Sequence, residues 1–419
     1  MSLEPTIETD RLLDELQQLA AISDCPEPPP AVTRVVFTET DLKARAYLQG
    51  LYEDAGLTVR VDPIGNTFAR WCPPSADADA PAVGTGSHCD AIPHAGMYDG
   101  TVGVLGGLEA IRALQREGFE PKRPIEVVMF TSEEPTRFGI GCSGSRAIAG
   151  VLSPEDLVKL TDDDGDDFDT VRQRAGFTGD LADVKLAEDH YHAWTELHIE
   201  QGPKLEKQNM PIGIVMGIAA PATFVFHVTG EGGHAGGVLM PERKDALCAA
   251  AEAIHSIEQF ARSSPSPDLV ATVGELDVFP GAVNSIPSKV RFTLDLRDTD
   301  ADNRDQIAQA IHEDCNEMGL RRGVTITSET LNADPPAACD KAVIDAIEKA
   351  CNDADLRWWK MVSRAYHDSL FMARLAPTGM IFIPCRDGVS HRPDEFSSPN
   401  EISAGVEVLA LTLAELASS

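Results

Sequence analysis

The chain alternates short apolar runs with amphipathic stretches. VGTGSH and IEVVMFTS are continuous runs of the kind found in strands buried on both faces, and GVLGGLEAIRALQREG between them repeats its apolar positions at helical spacing. TVRVD and TFARWC read as short strands around the turn signal PIGN. A helix is predicted over Asp41–Ala55, capped by Thr40 and followed by Gly56. WTELHIEQG reads as a strand feeding the short helix GPKLEKQ. The first forty residues, Pro-rich around CPEPPPAVTR, read as irregular before that first helix, and the acidic stretch 153–192 as surface helices and loops. Strand alternating with helix predicts an α/β layer fold.

The pattern changes near Ile212. IGIVMGI, TFVFHVTG, LVATVGEL and VRFTLDLRD are strand-like and surround two helical stretches, RKDALCAAAEAIHSIEQF and NRDQIAQAIHEDC. This ββαββα order predicts a small α+β domain, 212–330, inserted in a larger one made of 1–211 and 331–419. The earlier pattern returns with DKAVIDAIEKACND, MIFIPC and ISAGVEVLALTLAELA.

At 419 residues the chain exceeds one ordinary core. No apolar stretch is long enough to span a bilayer, and MSLEPTIETD lacks the features of a secretory leader, so a cytoplasmic location is expected. Nine cysteines at irregular spacing, with no CxxC pair, point to a reducing compartment and buried thiols. The net charge of −32, from 67 acidic and 35 basic residues, argues against nucleic acid or anionic membranes as partners. It fits an ordinary acidic enzyme or adaptation to high salt, and runs such as LTDDDGDDFD with few lysines favour the second.

Candidate chemistry sits at strand ends. His88, Asp90 and Asp99 lie in GSHCDAIPHAGMYDG; a folded-back loop brings such residues together, and imidazole with carboxylate suits zinc or manganese. Asp90 can alternatively support a ligand histidine. Glu133 and Glu134, adjacent carboxylates ending an apolar strand, are costly near a core unless a cation neutralises one of them. His198 lies inside an apolar strand and His391 in a loop after MIFIPC. Each has a plain reading: a polar turn, an exposed strand end, a hydrogen-bonded core histidine, a loop histidine. Together, three histidines and two carboxylates are what a two-metal hydrolytic site needs, with ions about 3.5–4 Å apart and a carboxylate beside them to move protons.

These motifs, with ELHIEQGPKLE, GEGGHAGGVLM and GVSHRPDEF, resemble the di-metal amidohydrolases related to aminoacylase and carboxypeptidase G2, from Gly84 to the C-terminus. Within them the chain resembles the carbamoyl-amide branch. SEEPTRFGI, GGHAGGVLMPERKDA, PGAVNSIPSK, SRAYHDSLFMAR and GMIFIPCRDGVSHRPDE are most similar to ureidoglycolate amidohydrolases. The resemblance implies a mixed-sheet catalytic domain with an inserted ferredoxin-like lid and dimerisation domain. It implies two divalent ions per subunit, Mn²⁺ favoured and Zn²⁺, Co²⁺ or Ni²⁺ possible. His88 and His198 would hold one ion, Glu134 and His391 the other, and Asp99 both. Glu133 would be general base and acid, Asp90 would orient a ligand, and His234 would stabilise the oxyanion. Gln201, Asn284, Arg297 and His367 would contact substrate, and Tyr366 would narrow the pocket for a small one. Arg297 suits a carboxylate but also suits a strand-end ion pair, and His234 suits a turn. The implied substrate is a small ureido carboxylate, foremost ureidoglycolate in purine-nitrogen recovery. The alternatives are N-carbamoyl-L-amino acids, allantoate and N-carbamoyl-β-alanine, then a dipeptidase or deacylase, then a non-catalytic metal-binding protein.

Overall fold

A computed structural model describes residues 3–28 and 30–418. The chain divides into two compact units, 1–217 with 338–419, and 218–337.

The first unit is built on a sheet that has nine strands among the described residues. Four central ones, Thr378–Ile383, Tyr191–Ile199, Ala82–His88 and Ile125–Phe130, are mutually parallel neighbours in that order. Antiparallel strands flank them, Thr67–Trp71 and Thr58–Val61 on one side and Ile212–Ile218 on the other. The four central strands are buried almost throughout, which is why they read as apolar runs without alternation. Side-chain alternation still sorts the two faces. Ile125, Val127 and Met129 pack under the helices Thr9–Ala21, Thr101–Arg116, Lys341–Asp353 and Pro399–Ala417, whereas Val128 and Phe130 face a second core containing Phe37, Phe138, Phe168 and Trp194. The mixed α/β fold expected from the sequence is borne out.

The second unit is an antiparallel sheet with Ala220–Thr229 at its centre, between Lys289–Asp298 and Thr325–Ala333. Val270–Thr272 and Leu276–Phe279 pair with the outer edge of Lys289–Asp298. The helices Ala246–Ser263 and Ala301–Arg322 share its core with Phe226, Phe292 and Leu294. This strand order is that of a ferredoxin-like fold.

Three local differences from the sequence reading have physical causes. Thr9–Ala21 is a helix rather than irregular chain, burying Leu12, Leu16, Leu19 and Ala20 at helical spacing. The following helix starts earlier, at Glu39, because Thr38 rather than Thr40 accepts the Asp41 N–H; the Thr40 hydroxyl bonds Asp24 instead. Ile212–Ile218 pairs with Thr378–Ile383 in the large sheet, and Thr325–Ala333 supplies the fourth position of the small one. The described part of the Pro-rich segment around residue 29 carries only the short strand Val32–Arg34. All nine cysteines are free thiols, and no helix among the described residues is long and apolar enough to cross a membrane.

Candidate active site

In an open α/β sheet, side chains beyond the carboxyl ends of parallel strands converge on one crevice. His88 ends one central strand, His198 nearly ends the next, Glu133 and Glu134 follow the third, and His391 lies in the loop after the fourth. Asp99 stands among them. Its Oδ1 is 3.5 Å from His88 Nε2 and 3.2 Å from His198 Nε2, while its Oδ2 is 3.4 Å from His391 Nε2. His391 Nε2 is in turn 3.4 Å from Glu134 Oε1. Two three-donor groups result, His88–Asp99–His198 and Asp99–Glu134–His391, with Asp99 common to both.

The donor chemistry fits divalent ions. His88 Nδ1 lies 2.9 Å from the Asp90 carbonyl oxygen and His198 Nδ1 2.9 Å from that of Ile199. A carbonyl oxygen only accepts, so both rings carry a proton on Nδ1 and present Nε2 to the crevice. The Gly100 N–H donates to His198 Nε2 at 3.1 Å, as to a lone pair. Lone pairs facing buried carboxylate oxygens repel unless a proton or a cation lies between them. Gly100 makes the close approach possible: its φ is +66°, and a Cβ there would sit 2.5 Å from the His88 ring.

The peptidase family M20/M25/M40 model matches residues 84–415. The chain belongs to this family. A ureidoglycolate hydrolase from Oryza sativa subsp. japonica is 49% identical over 415 residues, 98% of this chain and 85% of that protein. An N-carbamoyl-L-amino acid amidohydrolase from Geobacillus stearothermophilus is 38% identical over 98% of this chain and 99% of the relative. Crystal structures of AtUAH in complex with glyoxylate and with (S)-hydroxyglycine, each 47% identical and covering 99% of both chains, superpose with TM-scores of 0.89 and 0.88. The resemblance read from the motifs is thus borne out at the level of family and branch.

In this M20-family site Glu133 is buried, its Oε2 3.7 Å from His88 Nε2, and its Oε1 accepts from the Cys142 thiol at 3.4 Å. Burial, reinforced by the Glu134 charge, raises its carboxyl well above the usual range. Glu134 is pushed up to about 7 by burial and by Asp99. Asp99 goes the other way: contacts with His198, His391 and His88 outweigh burial and hold it well below the carboxylate norm.

Asp90 supports both neighbours. Its carboxylate accepts the backbone N–H groups of Glu133 (3.3 Å) and Glu134 (3.0 Å), so it fixes the pair of glutamates, and His88 Nδ1 lies 2.9 Å from the Asp90 carbonyl oxygen and 3.7 Å from Asp90 Oδ1. Gln201 donates to Asp99 Oδ2 at 2.7 Å. His367 is buried, 3.0 Å from the Ser363 hydroxyl, and packs edge-on to His198 at 4.6 Å. The Tyr366 hydroxyl accepts from Arg146 at 2.8 Å.

The second unit brings His234 and Asn284 together, since the Ala235 N–H donates to the Asn284 carbonyl and His234 pairs with Ser285. Arg297 lies towards the opposite end of Lys289–Asp298, forked onto Asp295 through Nε (2.7 Å) and Nη2 (3.1 Å), the strand-end ion pair named above as its alternative. The stretch from Lys289 to Arg297 spans roughly 26 Å of extended chain.

Four residues were not singled out from sequence. Glu395 accepts the N–H groups of Tyr98 (2.9 Å) and Asp99 (3.1 Å), and the Ser390 hydroxyl lies 2.8 Å from both Glu395 and Asp99. Glu196 lies two residues before His198, on the same face of their strand, and accepts from the Ser87 and Ser369 hydroxyls at 2.8 and 2.5 Å. Asp368, bonded by Ser145, is raised to about 8 by burial and then by Glu196. The period-two spacing of Glu196 and His198 was the readable signal.

With His391 as a proposed ligand, metal binding at this centre is expected to depend on pH. Contact with Asp99 raises its pKa to about 9 in the metal-free protein. Below that pH an incoming ion must displace its proton, so metal affinity is expected to rise with pH from 6 to about 9 and to level off above. Chelator competition at several pH values checks this; a flat profile would exclude His391 as a ligand.

Proposed function

We propose that this chain hydrolyses the ureido C–N bond of ureidoglycolate, releasing ammonia, carbon dioxide and glyoxylate. The observation that carries the proposal is Asp99 shared between two donor groups with the buried, non-shared Glu133 alongside, in a chain 49% identical to a ureidoglycolate hydrolase. His88, Asp99, His198, Glu134 and His391 would hold two divalent ions, Mn²⁺ favoured, which when bound supply an acidified water and a polarised carbonyl. Glu133 takes the proton of the attacking water and returns it to the departing ammonia. The remaining carbamate loses carbon dioxide to give hydroxyglycine, which yields glyoxylate and a second ammonia. Asp90 keeps Glu133 and Glu134 in register through this cycle.

Gln201 and His367 are proposed as substrate contacts, and Tyr366, anchored by Arg146, as a wall suited to a small substrate. For the second unit we propose an oxyanion role for His234 with Asn284 beside it, and carboxylate binding for Arg297. His234 lies in a two-stranded ladder with Ser285, just before the Lys289 end of Lys289–Asp298, whereas Arg297 lies near the other end of that strand in the five-stranded sheet, too far along the chain for one small molecule to touch both in a single copy. The reading therefore includes a homodimer in which two copies contribute.

The N-carbamoyl amino acid alternative stays in view because of the 38% identical amidohydrolase. The metal-stripped protein, reloaded with Mn²⁺, would be offered ureidoglycolate, allantoate and N-carbamoyl amino acids at low and molar salt. Metal-dependent release of ammonia and glyoxylate from ureidoglycolate, above the enzyme-free rate, is the expected result. Turnover of a carbamoyl amino acid alone would move the assignment to that substrate.

A further inference from the structure

Cys25, Glu27 and His94 form another cluster, outside the donors gathered around Asp99, in which one ligand atom from each lies within 4.8 Å of the others. Cys25 Sγ and His94 Nδ1 are 3.6 Å apart. A tetrahedral zinc ion, with Zn–S of about 2.3 Å and Zn–N of about 2.0–2.1 Å, sets its sulfur and nitrogen ligands roughly 3.6 Å apart.

The two backbones are tied to a common frame. The Ser23 hydroxyl accepts the N–H groups of Cys25 (3.0 Å) and Thr33 (2.8 Å), and the Thr33 hydroxyl accepts the N–H of His94 (2.9 Å). Thr33 and His94 belong to the two strands of one small antiparallel ladder, Val32–Arg34 with Ala91–Ala95. Below it the buried Arg34 guanidinium bonds the carbonyls of Cys89, Leu19 and Ile22. His94 is held at φ +59°, a left-handed conformation that costs a non-glycine residue of order 1–3 kcal/mol. Cys25 is partly exposed, and Glu27 and His94 are exposed, so an ion can enter from solvent.

We propose that Cys25, Glu27 and His94 bind one thiophilic divalent ion of the zinc class, separate from the ions proposed around Asp99. Thiolate selects Zn²⁺ or Cd²⁺ over Mn²⁺, whereas the two groups sharing Asp99 offer only nitrogen and oxygen. Binding releases the Cys25 thiol proton to solvent and leaves a fourth position for water. The ion ties the segment after the first helix to the loop that carries Asp90 and Asp99.

The test uses Cd²⁺ as probe on the full-length protein in excess Mn²⁺, following thiolate-to-metal charge-transfer absorption. A saturable band at one Cd²⁺ per chain is expected, displaced by Zn²⁺. Cys25→Ser should abolish it and Cys72→Ser, at another exposed thiol, should leave it intact. His94→Asn keeps a residue that tolerates the left-handed backbone and should weaken binding by at least about tenfold, the loss already typical for a ligand's supporting partner. A band that survives Cys25→Ser, affinity unaltered in His94→Asn, or no saturable band would each overturn the proposal.

Discussion

Glu133→Gln is expected to keep its fold and its metal while losing roughly two to four orders of magnitude in kcat, the usual range for a general acid–base group. The substitution preserves volume. The backbone N–H bond from Glu133 to Asp90 does not depend on the side chain, and the two donor groups that share Asp99 do not include Glu133. What disappears is a carboxylate whose proton affinity is raised by burial and by Glu134, the property needed to take a proton from water and return it to nitrogen. Metal content by elemental analysis, alongside kcat and KM, separates the roles. Full metal with retained turnover would place the base elsewhere.

Asp99→Ala is expected to have the broader effect, removing a donor from both groups at once. Bound metal should fall for both ions after dialysis, and turnover should become undetectable. Glu134→Ala provides the contrast, because Glu134 belongs to one of the two groups sharing Asp99: one equivalent should be lost and one kept. Equal loss in the two variants would mean that Asp99 is not shared in the way its two oxygens suggest.

The residues gathered at the strand ends were legible because each combines a chemistry-bearing side chain with a place at or just after an apolar strand. The central parallel strands announce themselves as apolar runs, so their carboxyl ends could be located before any coordinates. The supporting groups were harder to see. Glu395 acts on the backbone of Tyr98 and Asp99, almost three hundred positions away in the chain, and no local pattern encodes such a contact. Asp90 reads as a partner for a histidine ring, and it lies beside His88, but its bonds to two amide groups of the glutamate pair were not legible. IGIVMGI reads as the first strand of the second unit for a similar reason: it is as apolar as any strand of either sheet, and only its pairing with Thr378–Ile383 assigns it to the large one. The helix Thr9–Ala21 was legible in its leucine spacing, yet the prolines after it dominated the reading of that segment.

Ser132, Cys142, Gln201 and His391 all have positive φ without being glycine. Ser132 and Cys142 bracket the loop bearing Glu133, Gln201 bonds Asp99, and His391 is one of the donors. Each such conformation is held at a cost of order 1–3 kcal/mol by the structure around it. Ruggedness and rate therefore pull in opposite directions here. Glycine at Ser132 or Cys142 would relieve the strain but loosen the loop that positions Glu133, the proposed base, so selection for heat resistance alone would drift towards a tougher and slower protein.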